Sequence, residues 1–278
     1  MALKFMYITN KPEIALIAEK YGVERVWVDL ETLGKEQRQH NMNTVKSAHT
    51  ISDIKNIAAV LTKSDLLVRV NPFNPCSEDE INKVISAGAK IIMLPMWKSV
   101  GEVESFVKIV GRRAKTVLLL ETKEAEMCLD EVLQIPYIDE VHIGLNDLHL
   151  SYGLTFMFEL LANGTVERIC HKLNSKGIPY GFGGVSKIGY GLLPAEKIIM
   201  EHYRLGSTRV ILSRSFCNAE EIQDTKLIES IFKNNIAALR AYEEYSANAD
   251  SKVLDENHNE IKKCVNGIVE AIGSNKKQ

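Results

Sequence analysis

Two carboxylates and one guanidinium stand at the ends of short apolar runs, and together they suit chemistry next to a 2-keto acid. Glu121 closes the run TVLLLE, Asp147 lies in GLND directly after the run EVHI, and Arg69 sits near the end of LLVRVN. A pair of carboxylates can hold one hard divalent cation through oxygen, Mg²⁺ or Mn²⁺ or another, with positions left open for water and substrate. An arginine beside them offers a fixed cationic fork to a carboxylate or to the oxygen of a developing enolate. A Schiff-base route would instead want a lysine inside a buried strand. The apolar runs hold none, and Lys123 lies just beyond one of them. Each group has an ordinary reading too. Glu121 and Asp147 can cap the helices that follow them, and Arg69 can pair with Asp29 or Glu31. Arg214 can reach a substrate phosphate or carboxylate, or a neighbouring subunit.

The elements that must position these groups repeat along the chain. Strand-like runs fall at Lys4–Ile8, Arg25–Leu30, Leu66–Asn71, Lys90–Pro95, Thr116–Glu121, Glu140–Ile143, Pro179–Phe182 and Arg209–Leu212. Several are apolar without alternation, as expected of parallel strands buried on both faces. Between them lie stretches of helical period, such as Pro12–Tyr21, where Ile14, Ile17, Ala18 and Tyr21 share a face. Ser77 followed by Glu80 predicts a capping box at the start of a helix that Gly88 follows. Eight βα units in ~215 residues predict an α/β fold, a (β/α)₈ TIM barrel, with an additional C-terminal helix. The barrel is assigned to residues 1–246 and a helical extension to 247–278, whose apolar stripe (Ile261, Val265, Ile268, Val269, Ile272) is expected to pack on a neighbouring subunit. Barrels of this kind gather ligands at the C-terminal ends of their strands. Asp29, Glu31, Arg69, Glu121, Asp147 and Arg214 all fall there.

Composition narrows the partners. The 34 Lys+Arg against 36 Asp+Glu leave a net charge of −2, so there is no global basic field for nucleic acid. No apolar run approaches the ~20 residues that span a bilayer. The opening MALKFMYITN turns polar too soon for a signal peptide. The five cysteines are scattered without a CxxC, which favours reduced thiols and a cytoplasmic protein. No GxGxxG or GxxxxGK[ST] occurs, and the cluster Gly181-Phe-Gly-Gly184 reads as close backbone packing at a strand end.

Five ordered stretches carry a family resemblance: VDLE at 28–31, VRVNP at 68–72, GAKIIMLPM at 88–96, LLLET at 118–122 and HIGLNDLHLSYG at 142–153. Over roughly residues 3–240 the chain resembles the HpcH/HpaI aldolase / citrate lyase β-subunit family of pyruvate- and phosphoenolpyruvate-binding barrels. The resemblance implies a divalent ion at Glu121 and Asp147, and pyruvate or its enolate on Arg69. It also implies backbone amides of Leu145, Asn146 and Asp147 on the substrate carboxylate, and reversible carbon–carbon cleavage with an aldehyde as the second partner. A homo-oligomer, trimer or hexamer, is expected. Two positions depart from the aldolase branch: Thr32 stands where that branch has a histidine, and Leu119 where it has a glutamine. Asp29-Leu30-Glu31 is similar to the citrate lyase branch, with Lys35 and Arg38 as possible counterparts of its basic pair. The acid–base candidates are therefore Glu31, the loop histidines His40 and His49, and His149. The alternatives are a citrate lyase-like acyl-CoA lyase or thioesterase, a phosphoenolpyruvate enzyme, and a non-catalytic barrel that binds a keto acid.

Overall fold

A computed structural model describes residues 2–34 and 49–275. Its strands are β1 (Lys4–Ile8), β2 (Arg25–Asp29), β3 (Asp65–Arg69), β4 (Ile91–Leu94), β5 (Lys115–Leu120), β6 (Glu140–Ile143), β7 (Tyr180–Val185) and β8 (Arg209–Leu212). They close into a barrel in chain order, so the predicted (β/α)₈ barrel is the fold. The helices are α1 (Pro12–Lys20), α2 (Ile51–Val60), α3 (Ser77–Ser86), α4 (Val100–Val110), α5 (Lys123–Met127), α6 (Leu129–Val132), α7 (Leu145–Ser151), α8 (Glu159–Ala162), α9 (Thr165–Ser175), α10 (Ala195–Arg204), α11 (Thr225–Ala247) and α12 (Ser251–Asn275).

The chain forms two compact units. One comprises Met6–Leu120 and Glu124–Val141. In it β2, β3, β4 and β5 pair in parallel, with Asp29 level with Arg69 and Arg69 level with Met93. Strand alternation puts Arg25, Trp27 and Asp29 on one face of β2, and Val26 and Val28 on the other. Arg25 reaches Glu140 on β6, four places away in the ring of eight, so that face of β2 lines the barrel interior. The pair is bidentate, Nη1 to Oε2 at 2.5 Å and Nη2 to Oε1 at 2.6 Å, and its side chains are 1% and 5% exposed.

The capping box predicted at Ser77 is not formed. Cys76 is the N-cap and Ser77 the first helical residue. The Ser77 hydroxyl accepts from the Asn74 amide at 2.9 Å, while Glu80 accepts from the Asn71 side chain at 2.8 Å. The loop leading into α3 thus competes successfully for both side chains. Burial raises the Glu80 pKa above the usual carboxylate range, and the Asn71 bonds oppose that shift.

The second unit holds the first residues up to Phe5, Glu121–Lys123 and the chain from His142 onward. The glycine cluster lies inside β7 rather than at its end. A Cβ on Gly181 would come 2.3 Å from the Arg209 carbonyl oxygen on β8, which is the close packing anticipated from the sequence. α12 packs on α8 and α10 of its own chain. Ile261 and Val265 are buried there, whereas Ile268, Val269 and Ile272 stay half-buried. Thus two of the five stripe residues expected on a neighbouring subunit are already covered within the chain. His258 of α12 donates to the fully buried Glu201 at 3.0 Å, and Arg204 bridges Glu201 to Glu167. The polar segment Glu201–Arg204 is therefore a helix-docking network. His202 stacks on Phe182 at 3.8 Å, and burial holds its pKa well below the ordinary imidazole value. Among the described residues no helix is long and apolar enough to cross a membrane, and the five cysteines are free thiols.

Removing one partner of a buried ion pair strands the other charge, at a cost of about 3–5 kcal/mol. Urea unfolding of Glu140→Leu should show a loss of that size. The double replacement Arg25→Met/Glu140→Leu should recover most of it.

Candidate functional site

In the first unit, the C-terminal ends of β2 and β3 assemble an arginine clamp. The register places Asp29 beside Arg69 with both side chains on the interior face. Arg69 donates from Nε to Asp29 Oδ1 and from Nη2 to Oδ2, each at 2.8 Å. Its Nη1 lies 3.1 Å from Glu31 Oε2, and its guanidinium carbon lies 5.2 Å from the Trp27 ring centroid. Asp29 and Glu31 are 2% exposed against 13% for the Arg69 side chain. Two buried carboxylates thus hold one guanidinium whose orientation is fixed by a planar fork and an aromatic floor. The sequence left open whether Arg69 would pair with Asp29 or Glu31, and it pairs with both.

His49 joins the same group. Its Nδ1 accepts the Asp29 backbone N–H at 3.0 Å. An amide can only donate, so the ring proton of neutral His49 sits on Nε2. Thr32, at the position of the family histidine, is turned elsewhere: its amide and hydroxyl both donate to Asn71 Oδ1, at 2.9 and 3.2 Å. Lys35, Arg38 and His40 lie outside the described residues.

In the second unit, Glu121 follows β5 and is 4% exposed. Its side chain lies against Gly144, where an added Cβ would come 2.6 Å from Glu121 Cγ and 2.9 Å from Oε1. Gly144 is the N-cap of α7, and Asp147 is the acidic residue of that helix's first turn. A residue without a side chain therefore makes the space that lets the Glu121 carboxyl reach the turn carrying Asp147. Leu145 is buried against Gly183 of β7, Asn146 is exposed and Asp147 is half-buried. His149 is buried, and its Nδ1 donates to the Leu145 carbonyl at 3.2 Å, so its ring is committed to its own helix. Arg214, on the turn after β8, is exposed and has no ion-pair partner among the described residues.

The donor set bears on a divalent ion. Among the described residues no three His, Cys, Asp or Glu side chains cluster as metal ligands. Mg²⁺ commonly takes only one or two carboxylates and keeps several waters. A glutamate against the glycine that opens α7 and an aspartate in that helix's first turn offer carboxylates of the kind and number such an ion takes. Sequence reasoning missed the role of Gly144, while the pairing of Arg69 with Asp29 was among its readings. The alternation in Arg25-Val26-Trp27-Val28-Asp29 on β2 supports that pairing, because it puts Trp27 and Asp29 on one face.

A parallel eight-stranded barrel with acids and an arginine at its strand C-termini belongs to a class that works at that end of the fold. The family model for HpcH/HpaI aldolase/citrate lyase matches residues 5–172, and the chain belongs to that family. Solved structures share the fold at low identity. An HpcH/HpaI aldolase from Desulfitobacterium hafniense DCB-2 is 16% identical, with a TM-score of 0.61 over 76% of this chain and 86% of that one. A HpcH/HpaI aldolase/citrate lyase family protein from Burkholderia cenocepacia J2315 is 14% identical, with a TM-score of 0.59 over 79% and 91%. The protein CitE from Mycobacterium tuberculosis, solved in complex with magnesium and pyruvate, is 15% identical, with a TM-score of 0.61 over 94% and 98%. No curated protein matches the chain in sequence.

Gly144 has a φ of −82°, open to any residue, so Gly144→Ala acts through its methyl group alone. That methyl must displace the Glu121 side chain. Calorimetric titration with Mg²⁺ should show affinity at least about tenfold weaker, or 1.4 kcal/mol, with the melting temperature nearly unchanged.

Proposed function

We propose that the chain is a divalent-metal-dependent carbon–carbon lyase that cleaves or forms the bond between pyruvate, as its enolate, and an aldehyde. The observation that carries this reading is the lodging of Glu121 on Gly144, at the start of the helix that bears Asp147. Family membership supports lyase chemistry, and the magnesium and pyruvate in the complex of CitE support this ligand pair. Glu121 and Asp147 would hold the cation, Mg²⁺ first and Mn²⁺ or another divalent ion as substitutes. When bound, such a cation supplies Lewis-acid stabilisation of enolate charge.

The remaining chemistry belongs to the chain. Arg69 turns the edge of its guanidinium that faces away from Asp29 toward the substrate carboxylate or the enolate oxygen, and Asp29 and Glu31 keep it from rotating. Backbone amides of Leu145, Asn146 and Asp147, in the first turn of α7, bind the substrate carboxylate. Arg214, exposed on the turn after β8, would meet a second anionic group on the substrate. His49, whose Nδ1 lone pair is taken by the Asp29 amide, orients the reacting oxygen with a hydrogen bond from its Nε2–H. Glu31, the carboxylate beside Arg69, takes the hydroxyl proton in cleavage and returns it to the aldehyde oxygen in synthesis. The protein is read as a cytoplasmic homo-oligomer, a trimer or hexamer, with residues 1–246 as the catalytic barrel and the rest of the α12 stripe facing a neighbouring subunit.

Pyruvate release from a panel of 4-hydroxy-2-keto acids tests this directly. Activity should require added Mg²⁺ and disappear in Glu121→Gln. In Glu31→Gln, kcat should fall by about 10²–10⁴ with little change in KM. Full turnover by Glu121→Gln in the presence of chelator would rule the reading out, as would turnover of acyl-CoA thioesters alone.

A further inference from the structure

At the strand ends opposite Arg69, β3, β4 and β5 begin with charges that the barrel-mouth chemistry does not use. Asp65 opens β3, Lys90 directly precedes β4 and Lys115 opens β5. The backbone ladder sets them side by side: the Lys90 amide donates to the Leu66 carbonyl at 2.9 Å and the Lys115 amide to the Lys90 carbonyl at 3.0 Å. With Arg112, Tyr137 and Asp139 they line a cavity of about 500 Å³, within the range of small-molecule pockets.

The charges in this basin do not neutralise one another. Asp139 is engaged by β5, accepting from the Thr116 amide at 2.8 Å and from its hydroxyl at 3.2 Å. Lys90, Lys115 and Arg112 have no ion-pair partner among the described residues, and neither has Asp65. Three cations meet two carboxylates, Asp65 and Asp139, around a single cavity, so the basin keeps one net positive charge that an anion would offset. The wall is also held in a particular shape. Arg112 (φ 62°) and Tyr137 (φ 68°) both adopt the left-handed conformation, which is costly for a residue with a side chain and concentrates at functional positions. The Arg112 guanidinium lies 4.9 Å from the Tyr137 ring centroid, so the cation is presented from a flat aromatic support.

We propose that this basin is a second binding site, for a small polyanion bearing two or more carboxylate or phosphate groups, gripped by Lys90, Lys115 and Arg112. It is independent of the lyase reading. Calorimetry on the full chain, freed of metal on a chelating resin, tests it with two probes: inorganic pyrophosphate and propane-1,2,3-tricarboxylate. At least one should bind saturably with one site per chain. Binding should weaken at least about tenfold in Lys90→Ala/Lys115→Ala and in Arg112→Ala, and persist in Arg69→Ala. Pyrophosphate alone would mark a phosphate-ester site, and the tricarboxylate alone a carboxylate site. Absence of saturable binding for both probes up to about 10 mM, or wild-type affinity in Lys90→Ala/Lys115→Ala, would overturn the proposal.

Discussion

A guanidinium and a carboxylate inside the barrel, Arg25 and Glu140, join opposite sides of the ring of strands and are almost wholly removed from water. Burying two charges is unfavourable unless they satisfy each other, and the bidentate geometry does so. The consequence reaches beyond stability. Arg25 sets which face of β2 turns inward, and strand alternation then carries Trp27 and Asp29 along the same face. At about 3.3 Å per residue, Asp29 stands roughly 13 Å further along β2 than Arg25. A one-residue slip of β2 would face Val26 and Val28 inward and leave Arg69 without its carboxylate clamp.

That clamp is a preorganised device. Arg69 is fixed by Asp29, Glu31 and the Trp27 ring, so it has little rotamer freedom left to lose when a ligand arrives. The cluster formed by Asp29, Glu31 and Arg69 carries one more negative than positive charge. Elsewhere, Gly144 works by having no side chain: it leaves room for the Glu121 carboxyl beside the turn of Asp147.

Much of this was legible in the residue pattern. Buried parallel strands read as unbroken apolar runs, so three strands were placed at their observed limits and the others nearly so; β7 ran on past Phe182 through its glycines. The acids and arginine at the strand ends follow from the same pattern. Other features lie beyond local pattern. Arg25 and Glu140 are 115 positions apart, and nothing near either one names the other. The Ser77 cap failed because Asn74 and Asn71 offered the two side chains better-placed partners than the helix end did. Gly144 looks like any glycine before a helix until the Glu121 side chain is seen against it. The α12 stripe was readable as apolar, but a helical pattern does not say which surface covers it, and packing on α8 and α10 buries its first two residues.

We propose that Glu121 and Asp147 serve one ion on which a keto acid is held. A crystal structure of the protein grown with Mg²⁺ and oxalate, a pyruvate-enolate mimic, puts that claim to the most direct test. A single ion bound by both carboxylates, with oxalate oxygens accepting hydrogen bonds from Arg69, is the predicted result. Carboxylates pointing away from one another, or an oxalate lodged far from both, would contradict it.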